Sequence, residues 1–213
     1  DSAFDALFVQ LDKSPLPGPG GRADINLGVA VTGVVRAMYS DRFWPELERS
    51  LNNAQSGDGA GLLALQDGYY QRGADGTYSN LLESFQAISC ADDPERLTVE
   101  EADQQAEVLI GAAPRLFPYS TGSYTCSFFP AAIDPRVDVT GVGAGPIVVV
   151  GTTGDPSTPL DSSRRMAAAL EDGRLVVVEA NQHTGYRVNS CIEDTIHSYL
   201  IQLEAPDTET VCG

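Results

Sequence analysis

The chain has 213 residues, of which 42% are hydrophobic, a share that is ordinary for a globular protein. Its 13 basic and 30 acidic residues give a net charge of −17, which argues against nucleic acid as a partner because phosphate contacts need clustered Lys and Arg. A solvated acidic surface accounts for the charge, and no apolar run reaches the roughly 20 residues of a membrane-spanning helix.

The first half of the sequence predicts a series of helices. A loop rich in Pro and Gly at residues 14–24 follows a short amphipathic start. Asp41 is predicted to cap the second of the helices that follow, and Thr98–Glu101 has the pattern of a capping box. The helices predicted from apolar spacing run from Ile25 to Ser40, from Asp41 to Ser56, from Leu62 to Tyr70, from Tyr78 to Ile88 and from Thr98 to Ala113.

Residues 146–203 instead alternate strand, helix, strand and helix. The β-branched run Ile147–Val150 stops at Gly151 and predicts a buried parallel strand, and Leu175–Ala180 predicts a second one. The composition changes within a stretch rich in Pro, Gly and Ser, from Phe117 to Gly145. We therefore predict an α/β fold, with a helical cap, or lid, over residues 1–116 and part of a parallel sheet with flanking helices over residues 117–213.

Two residues with catalytic potential follow the two predicted strands. Asp155 lies in a Gly-Asp-Pro turn after the first strand, and His183 lies in a short polar loop after the second. Parallel strands end at the same edge of a sheet, so the two side chains are expected to meet there. An Asp followed by a His is the order of the last two members of the α/β-hydrolase triad, in which Asp orients His and His acts as general base.

Each of these residues has a plainer interpretation. A lone Gly-Asp-Pro is typical of a simple turn or of a helix cap. Thr158 either hydrogen-bonds the Asp155 carboxylate or caps the following helix, and capping is the favoured role. The second histidine, His197, lies inside the last amphipathic helix and is assigned to packing or solvent. The strand before Asp155 and the presence of His183 after it favour the catalytic interpretation.

The nucleophile of such a triad is missing from this chain. In α/β-hydrolases a Gly-x-Ser-x-Gly motif places the serine on a sharp turn between strand and helix. Residues 1 to 213 contain no such motif. The chain also starts at Asp1, with no Met and no leader. We therefore expect the C-terminal part of an enzyme.

The four cysteines lack the Cys-x-x-Cys spacing of a zinc site or a redox dithiol. Cys191 starts the last helix and Cys212 lies at the tail, so a disulfide between them would hold a tail that otherwise frays. Cys90 then pairs with Cys126 by elimination. Two disulfides indicate a secreted protein, and four reduced, buried cysteines in a cytosolic protein are the alternative.

The motifs of the second half resemble those of the tripeptidyl-aminopeptidase-like α/β-hydrolases of actinobacteria. This family includes secreted exopeptidases and mycobacterial cell-envelope serine proteases. The resemblance is specific over about residues 117–213 and looser over the cap, where Tyr78–Asn80 and Ala87–Asp92 are similar. The stretches that carry the specific part are Val149–Pro159, Asn181–Gly185, Asn189–Ile192 and Thr210–Cys212.

The resemblance implies Asp155 as the triad acid and His183 as the triad base, with the serine and the oxyanion-hole donors upstream, outside this chain. It also implies that the cap covers the active site and restricts substrates to peptide ends or small esters. We expect a secreted or cell-envelope serine peptidase that releases short peptides from N-termini and needs no metal or organic cofactor. Its partners would be a peptide or small ester substrate, the upstream half of the enzyme, and in isolation a second copy. The alternatives are an esterase of the same fold and a non-catalytic fragment.

Overall fold

The computed structural model of the protein describes residues 2–93, 95–115, 124–130 and 137–213. The chain divides into two compact units, one of Asp1–Arg36 and Pro45–Val137 and the other of Ala37–Trp44 and Asp138–Gly213. The boundary predicted between residues 116 and 117 lies outside the described residues. The first unit is helical, and the second contains a parallel sheet.

The first unit buries apolar side chains from several helices. Leu7, Phe8 and Leu11 on one face of the first helix are fully buried, as are Ile25 and Leu62. This spacing is that of an amphipathic helix packed against a core. Among the described residues, this unit contains most of α2 (Leu27–Met38) and most of α3 (Trp44–Gln55). It also contains α1 (Ser2–Lys13), α4 (Ala60–Tyr69), α5 (Leu81–Asp92) and α6 (Val99–Ala112).

The predicted helices are all present, with two differences at their starts. Asp41 does not cap α3: it opens a 3-10 turn, Asp41–Phe43, and its backbone N–H donates to the carbonyl of Asn181. Tyr78 stays in the loop before α5 because its hydroxyl is held there, accepting from Arg22 and donating to Asp67. The capping box is confirmed, since the Thr98 hydroxyl accepts from the Glu101 N–H and the Glu101 carboxylate accepts from the Thr98 N–H.

The second unit contains three parallel strands in the order β1 (Ile147–Thr152), β2 (Gly173–Val178) and β3 (Glu209–Cys212). Helix α7 (Leu160–Ala169) connects β1 to β2, and α8 (Ser190–His197) lies between β2 and β3. The two predicted strands are therefore confirmed as a parallel pair. Strand β3 was not predicted, because Glu209–Cys212 is too short and too polar to form an apolar run.

The core of this unit lies between β2, β3 and α8. Val176, Val178, Ile192 and Cys212 form a cluster of side chains that are at most 1% exposed, with Val148 and Val150 of β1 packed against it in part. Central parallel strands are buried on both faces, which explains the continuous apolar sequence of β2. This arrangement is a partial α/β-hydrolase sheet with flanking helices.

Two disulfides join Cys90 to Cys126 and Cys191 to Cys212, the same two pairs that the sequence predicts. The second connects the first turn of α8 to the end of β3, where the Cys212 carbonyl also accepts from the Glu179 N–H. None of the described helices is long and apolar enough to cross a membrane.

One face of α5 carries exposed apolar side chains. Leu81, Phe85 and Ile88 are 45%, 67% and 60% exposed, and their spacing of four and three residues places them on the same side of the helix. Of the aromatic residues of the predicted cap, Trp44 and Tyr78 are also exposed, whereas Phe43, Tyr69 and Tyr70 are half-buried. Exposed apolar side chains that share one face of a helix are typical of an interaction surface.

The first prediction concerns the tail. The disulfide between Cys191 and Cys212 closes a loop of 21 residues, so replacing both cysteines with serine is expected to lower the free energy of unfolding by about 3 kcal/mol. Urea unfolding followed by circular dichroism measures the loss, and amide hydrogen exchange in β3 is expected to accelerate. The Cys90→Ser and Cys126→Ser double variant is the matched control, since it removes a disulfide without touching β3. Unchanged exchange in β3 after loss of Cys191–Cys212 would contradict the stapling role.

Candidate active site

Asp155 and His183 lie at the carboxyl ends of adjacent parallel strands. Asp155 follows β1 by three residues and His183 follows β2 by five, and the register pairs Thr152 with Val178 at the ends of the strands. The two loops touch closely, because the Gly154 N–H donates to the Ala180 carbonyl at 2.9 Å. A Cβ on Gly154 would lie 3.0 Å from both the Ala180 carbonyl oxygen and the Asn181 Cα, so glycine favours this close approach of the two backbones.

The structure brings the Asp155 carboxylate and the His183 imidazole into direct contact. Nδ1 of His183 lies 3.0 Å from Oδ2 and 3.1 Å from Oδ1 of Asp155. An ionised carboxylate only accepts hydrogen bonds, so Nδ1 carries the proton and Nε2 of the neutral ring is left as an acceptor. The Asp155 side chain is only 4% exposed and that of His183 is 30% exposed, so the acid is buried while the base reaches solvent.

Three further donors hold the Asp155 carboxylate within its own turn. The backbone N–H groups of Ser157 and Thr158 donate to Oδ1 at 2.9 and 2.8 Å, and the Thr158 hydroxyl donates to Oδ2 at 3.0 Å. The capping role favoured for Thr158 is therefore wrong. Pro159 occupies the N-cap position of α7 without a side-chain hydrogen bond, and the Thr158 hydroxyl is already used by the carboxylate. Asp155 is a turn residue and the partner of His183 at the same time.

These donors determine the protonation state of the acid. Burial of the carboxyl is the largest influence and acts to raise the pKa of Asp155. The hydrogen bonds from the Thr158 and Ser157 backbones, from His183 and from the Thr158 hydroxyl together outweigh burial, and they hold the pKa of Asp155 below its ordinary value. The carboxylate is therefore ionised at neutral pH, as the partner of a catalytic histidine must be.

The residue after His183 has a strained backbone. Thr184 has a φ of 72°, a left-handed conformation that is rare for a β-branched residue. Its N–H donates to Asp155 Oδ2 at 3.4 Å, and its carbonyl accepts from the Gln182 side chain at 2.9 Å. Gly185 then packs onto the sheet so closely that a Cβ would lie 2.8 Å from both Val150 and Val178. No residue pattern in the sequence signals the strain at Thr184.

A segment far upstream in the chain also contacts the loop of His183. The His183 N–H donates to the Tyr39 carbonyl at 2.9 Å, and Ser40 pairs with Gln182 as an antiparallel bridge. Residues Ala37–Trp44 belong to the same compact unit as the sheet. The sequence gives no sign of this pairing, since residues 39–41 contain no strand-like run.

His197 lies apart from this pair. Its Nε2 is 2.9 Å from the hydroxyl of Tyr186, and the two rings are in edge contact with centroids 6.0 Å apart. The residue is exposed at the end of α8. Among the described residues, no group of three or more His, Cys, Asp or Glu is arranged to hold a metal ion.

A parallel sheet whose strand ends present a buried Asp hydrogen-bonded to a partly exposed His is the arrangement expected of an α/β-hydrolase. Comparison with known families agrees, since residues 118–212 match the family described as TAP-like protein. The C-terminal region of the chain therefore belongs to the TAP-like family of α/β-hydrolases.

Two relatives of the chain are hydrolases by name. The chain is 34% identical over 210 residues to carboxylesterase B of Mycobacterium tuberculosis, a match that covers 92% of this chain and 39% of the relative. It is 33% identical over 190 residues to serine protease Hip1 of the same organism, covering 86% of this chain and 36% of the relative. The chain thus spans less than two fifths of the length of these relatives.

The second prediction concerns the acid. The pKa of Asp155 is lower in the folded chain than in an unfolded one, where Asp titrates at about 3.9. The ionised carboxylate therefore stabilises the fold above about pH 4, and this stabilisation is lost as the pH falls through the folded-state pKa. We expect Asp155→Asn to be less stable than the unchanged chain at pH 7 and the difference to shrink at pH 3.

Urea unfolding at a series of pH values measures this difference. Asp161→Asn, which removes an exposed carboxyl from the first turn of α7, is the control for the loss of one negative charge. An Asp155→Asn difference that is the same at pH 7 and pH 3 would show that the hydrogen bonds of the turn do not favour the ionised carboxylate.

Proposed function

We propose that the chain is the C-terminal part of a secreted serine hydrolase with a Ser-His-Asp triad, in which Asp155 is the acid and His183 the base. The observation that carries the proposal is the pairing of Asp155 with His183 Nδ1 at 3.0 Å, at the ends of adjacent parallel strands. The match of this region to the TAP-like family supports it.

The geometry suits His183 to proton transfer. With Nδ1–H donating to Asp155, Nε2 is the free acceptor that takes the proton of an attacking serine hydroxyl. The ionised Asp155 then stabilises the imidazolium, and Nε2 returns the proton to the leaving group. Thr158 supports the acid, since its hydroxyl and its N–H keep the carboxylate ionised and fixed.

Peptides are the substrate class that we favour, with release of short peptides from N-termini as the reaction. The family description and the relative named serine protease Hip1 support this choice. Ester hydrolysis is the second candidate, because another relative is named carboxylesterase B. The same triad attacks both bonds. The histidine must protonate the amine that leaves from a peptide, whereas the phenolate that leaves from a p-nitrophenyl ester needs no proton.

The serine and the oxyanion-hole donors belong in this proposal to an upstream half of the enzyme, since residues 1–213 contain no Gly-x-Ser-x-Gly. Strand β1 is paired only with β2 among the described strands. Docking of the upstream half would give β1 a second neighbouring strand.

We further propose that residues 1–116 form a lid whose apolar α5 face packs on that upstream half. An extracytoplasmic location, secreted or in the cell envelope, completes the proposal. Its support is the pair of disulfides, which persist in oxidising compartments.

The third prediction tests catalysis. We expect the 213-residue chain alone to hydrolyse neither p-nitrophenyl esters nor peptide p-nitroanilides, because it lacks the nucleophile. The longer protein that contains it is expected to react with a fluorophosphonate probe and to lose turnover in His183→Ala. Asp155→Asn in that protein is expected to lower kcat on the order of 10³- to 10⁴-fold by permitting the wrong tautomer.

His197→Ala is the matched control, because the other histidine lies outside the pair. Hydrolysis by the 213-residue chain that depends on His183 would overturn the assignment of the serine to the upstream half. A longer protein that is folded but inert to the probe would identify the chain as part of a non-catalytic protein.

The fourth prediction tests the α5 surface. The upstream half supplied as a separate chain is expected to bind this chain, and a Phe85→Ser and Ile88→Ser double variant is expected to bind it more weakly, since both side chains are exposed and apolar. Titration calorimetry measures binding, and light scattering measures self-association. Val142→Ser, which changes an exposed apolar residue elsewhere, is the control. Equal binding by the double variant would remove α5 from the interface.

A further inference from the structure

The carboxylate of Asp155 does not by itself select one orientation of the His183 ring. Its two oxygens lie at nearly equal distances from Nδ1, 3.0 and 3.1 Å, so the hydrogen bond does not single out one oxygen as the acceptor. The His183 side chain is also 30% exposed, so packing on its own loop leaves the ring partly free. A catalytic base needs a fixed direction for Nε2, and another contact must therefore define the plane of the ring.

Tyr39 makes that contact. Its ring and the His183 imidazole have centroids 5.3 Å apart and planes at 85°, the edge-to-face arrangement that aromatic rings favour. The same residue is bound through its backbone, since its carbonyl accepts from the His183 N–H at 2.9 Å. Backbone and side chain of one residue therefore contact the backbone and the side chain of His183.

The backbone of residues 39–41 is itself held in place. Asp41 donates its N–H to the Asn181 carbonyl at 3.2 Å, and Ser40, only 6% exposed, pairs with Gln182 between the two hydrogen bonds. This short antiparallel pairing fixes the backbone position from which the Tyr39 side chain extends. It also holds the backbone of residues 181–183, which precede the strained Thr184.

We propose that Tyr39 is a positioning residue for His183. Its perpendicular ring holds the imidazole plane so that Nδ1 faces Asp155, which directs Nε2 to the opposite side, towards the incoming nucleophile. This inference rests on the proposed function, in which His183 is the base. The Tyr39 hydroxyl is not required, because the ring makes the contact.

The chain provides an internal control for the test. It contains two histidines, and the second one, His197, is also in edge contact with a tyrosine, Tyr186, at 6.0 Å. Tyr39→Leu therefore removes the ring beside His183, and Tyr186→Leu removes the ring beside His197. Both substitutions keep an apolar side chain and leave the backbone hydrogen bonds available.

The experiment is nitrogen-15 NMR of the two imidazole rings in the histidine-labelled 213-residue chain, with Tyr39→Phe as the conservative variant. In the unchanged chain and in Tyr39→Phe, we expect the His183 nitrogens to show one Nδ1–H tautomer and a low-field Nδ1 proton. In Tyr39→Leu we expect that proton signal to be lost and the two nitrogen shifts to move towards their average, with His197 unchanged. Tyr186→Leu, which removes both the ring and the hydroxyl beside His197 Nε2, is expected to change the His197 nitrogen shifts and to leave the His183 tautomer and its low-field proton unchanged.

The outcomes separate this inference from the proposed function. An unchanged chain without the Nδ1–H tautomer at His183 would overturn the triad assignment and the role of Tyr39 together. A Tyr39→Leu chain that keeps the tautomer and the low-field proton would overturn the role of Tyr39 alone. If circular dichroism shows that Tyr39→Leu is unfolded, Tyr39→Met, which introduces an unbranched apolar side chain, replaces it. The same outcomes then apply.

In the longer enzyme, Tyr39→Leu is expected to lower kcat on the order of 10- to 100-fold with KM little changed, since a misdirected base slows the proton transfer and leaves substrate binding intact. Tyr39→Phe is expected to restore kcat. A fall in activity that Tyr39→Phe shares equally, or one confined to KM, would contradict a positioning role.

Discussion

The site depends on the parallel pairing of β1 with β2. The two strands run in register from Ile147 opposite Gly173 to Thr152 opposite Val178, so both end at the same level of the sheet. Asp155 and His183 are 28 residues apart in sequence, and only this pairing brings their loops together. A slip of one residue in β2 would turn Val176 and Val178 away from the buried cluster that they form with Ile192 and Cys212, so the packing of the core fixes the position of the pair.

The turn after β1 holds the carboxylate of Asp155. Its backbone N–H groups and the Thr158 hydroxyl donate hydrogen bonds to the carboxylate in addition to the one from His183. A buried carboxylate without them would be driven towards its protonated form. The loop after β2 also contributes to holding the acid, since the N–H of Thr184, a residue with a left-handed backbone, donates to the carboxylate.

The features that sequence predicts here are those with a local signal. Apolar runs mark β1 and β2, helical spacing and the Thr98 capping box mark the helices of the first unit, and the order Asp155 then His183 marks the strand ends. The pairing of the cysteines follows because Cys191 and Cys212 have clear positions at a helix start and a tail. Such signals depend on neighbours within a few residues, so propensity and pattern reach them.

The missed features depend on contacts between distant residues. Strand β3 pairs with the edge of β2 and is joined at its end to α8 by a disulfide, and its own four residues carry no strand pattern. Thr158 is an exception, since its contact is local: it has the right residue type and spacing for a cap, but its hydroxyl donates to the carboxylate of Asp155, three residues earlier. The pairing of residues 39–41 with 181–183 spans more than 140 positions, for which a single sequence has no signal.

The relation between the two histidines shows what makes one of them a base. Both are partly or fully exposed and both meet a tyrosine ring, so neither exposure nor aromatic contact separates them. The difference is which nitrogen is engaged: Asp155 binds Nδ1 of His183, whereas the Tyr186 hydroxyl occupies Nε2 of His197. An ionised acceptor at Nδ1 forces the proton onto that nitrogen and leaves Nε2 basic, while a hydroxyl, which both donates and accepts, imposes no tautomer. The catalytic potential of His183 therefore comes from the buried charge behind it, and the strand pairing that brings this charge to His183 is the structural origin of the function we propose.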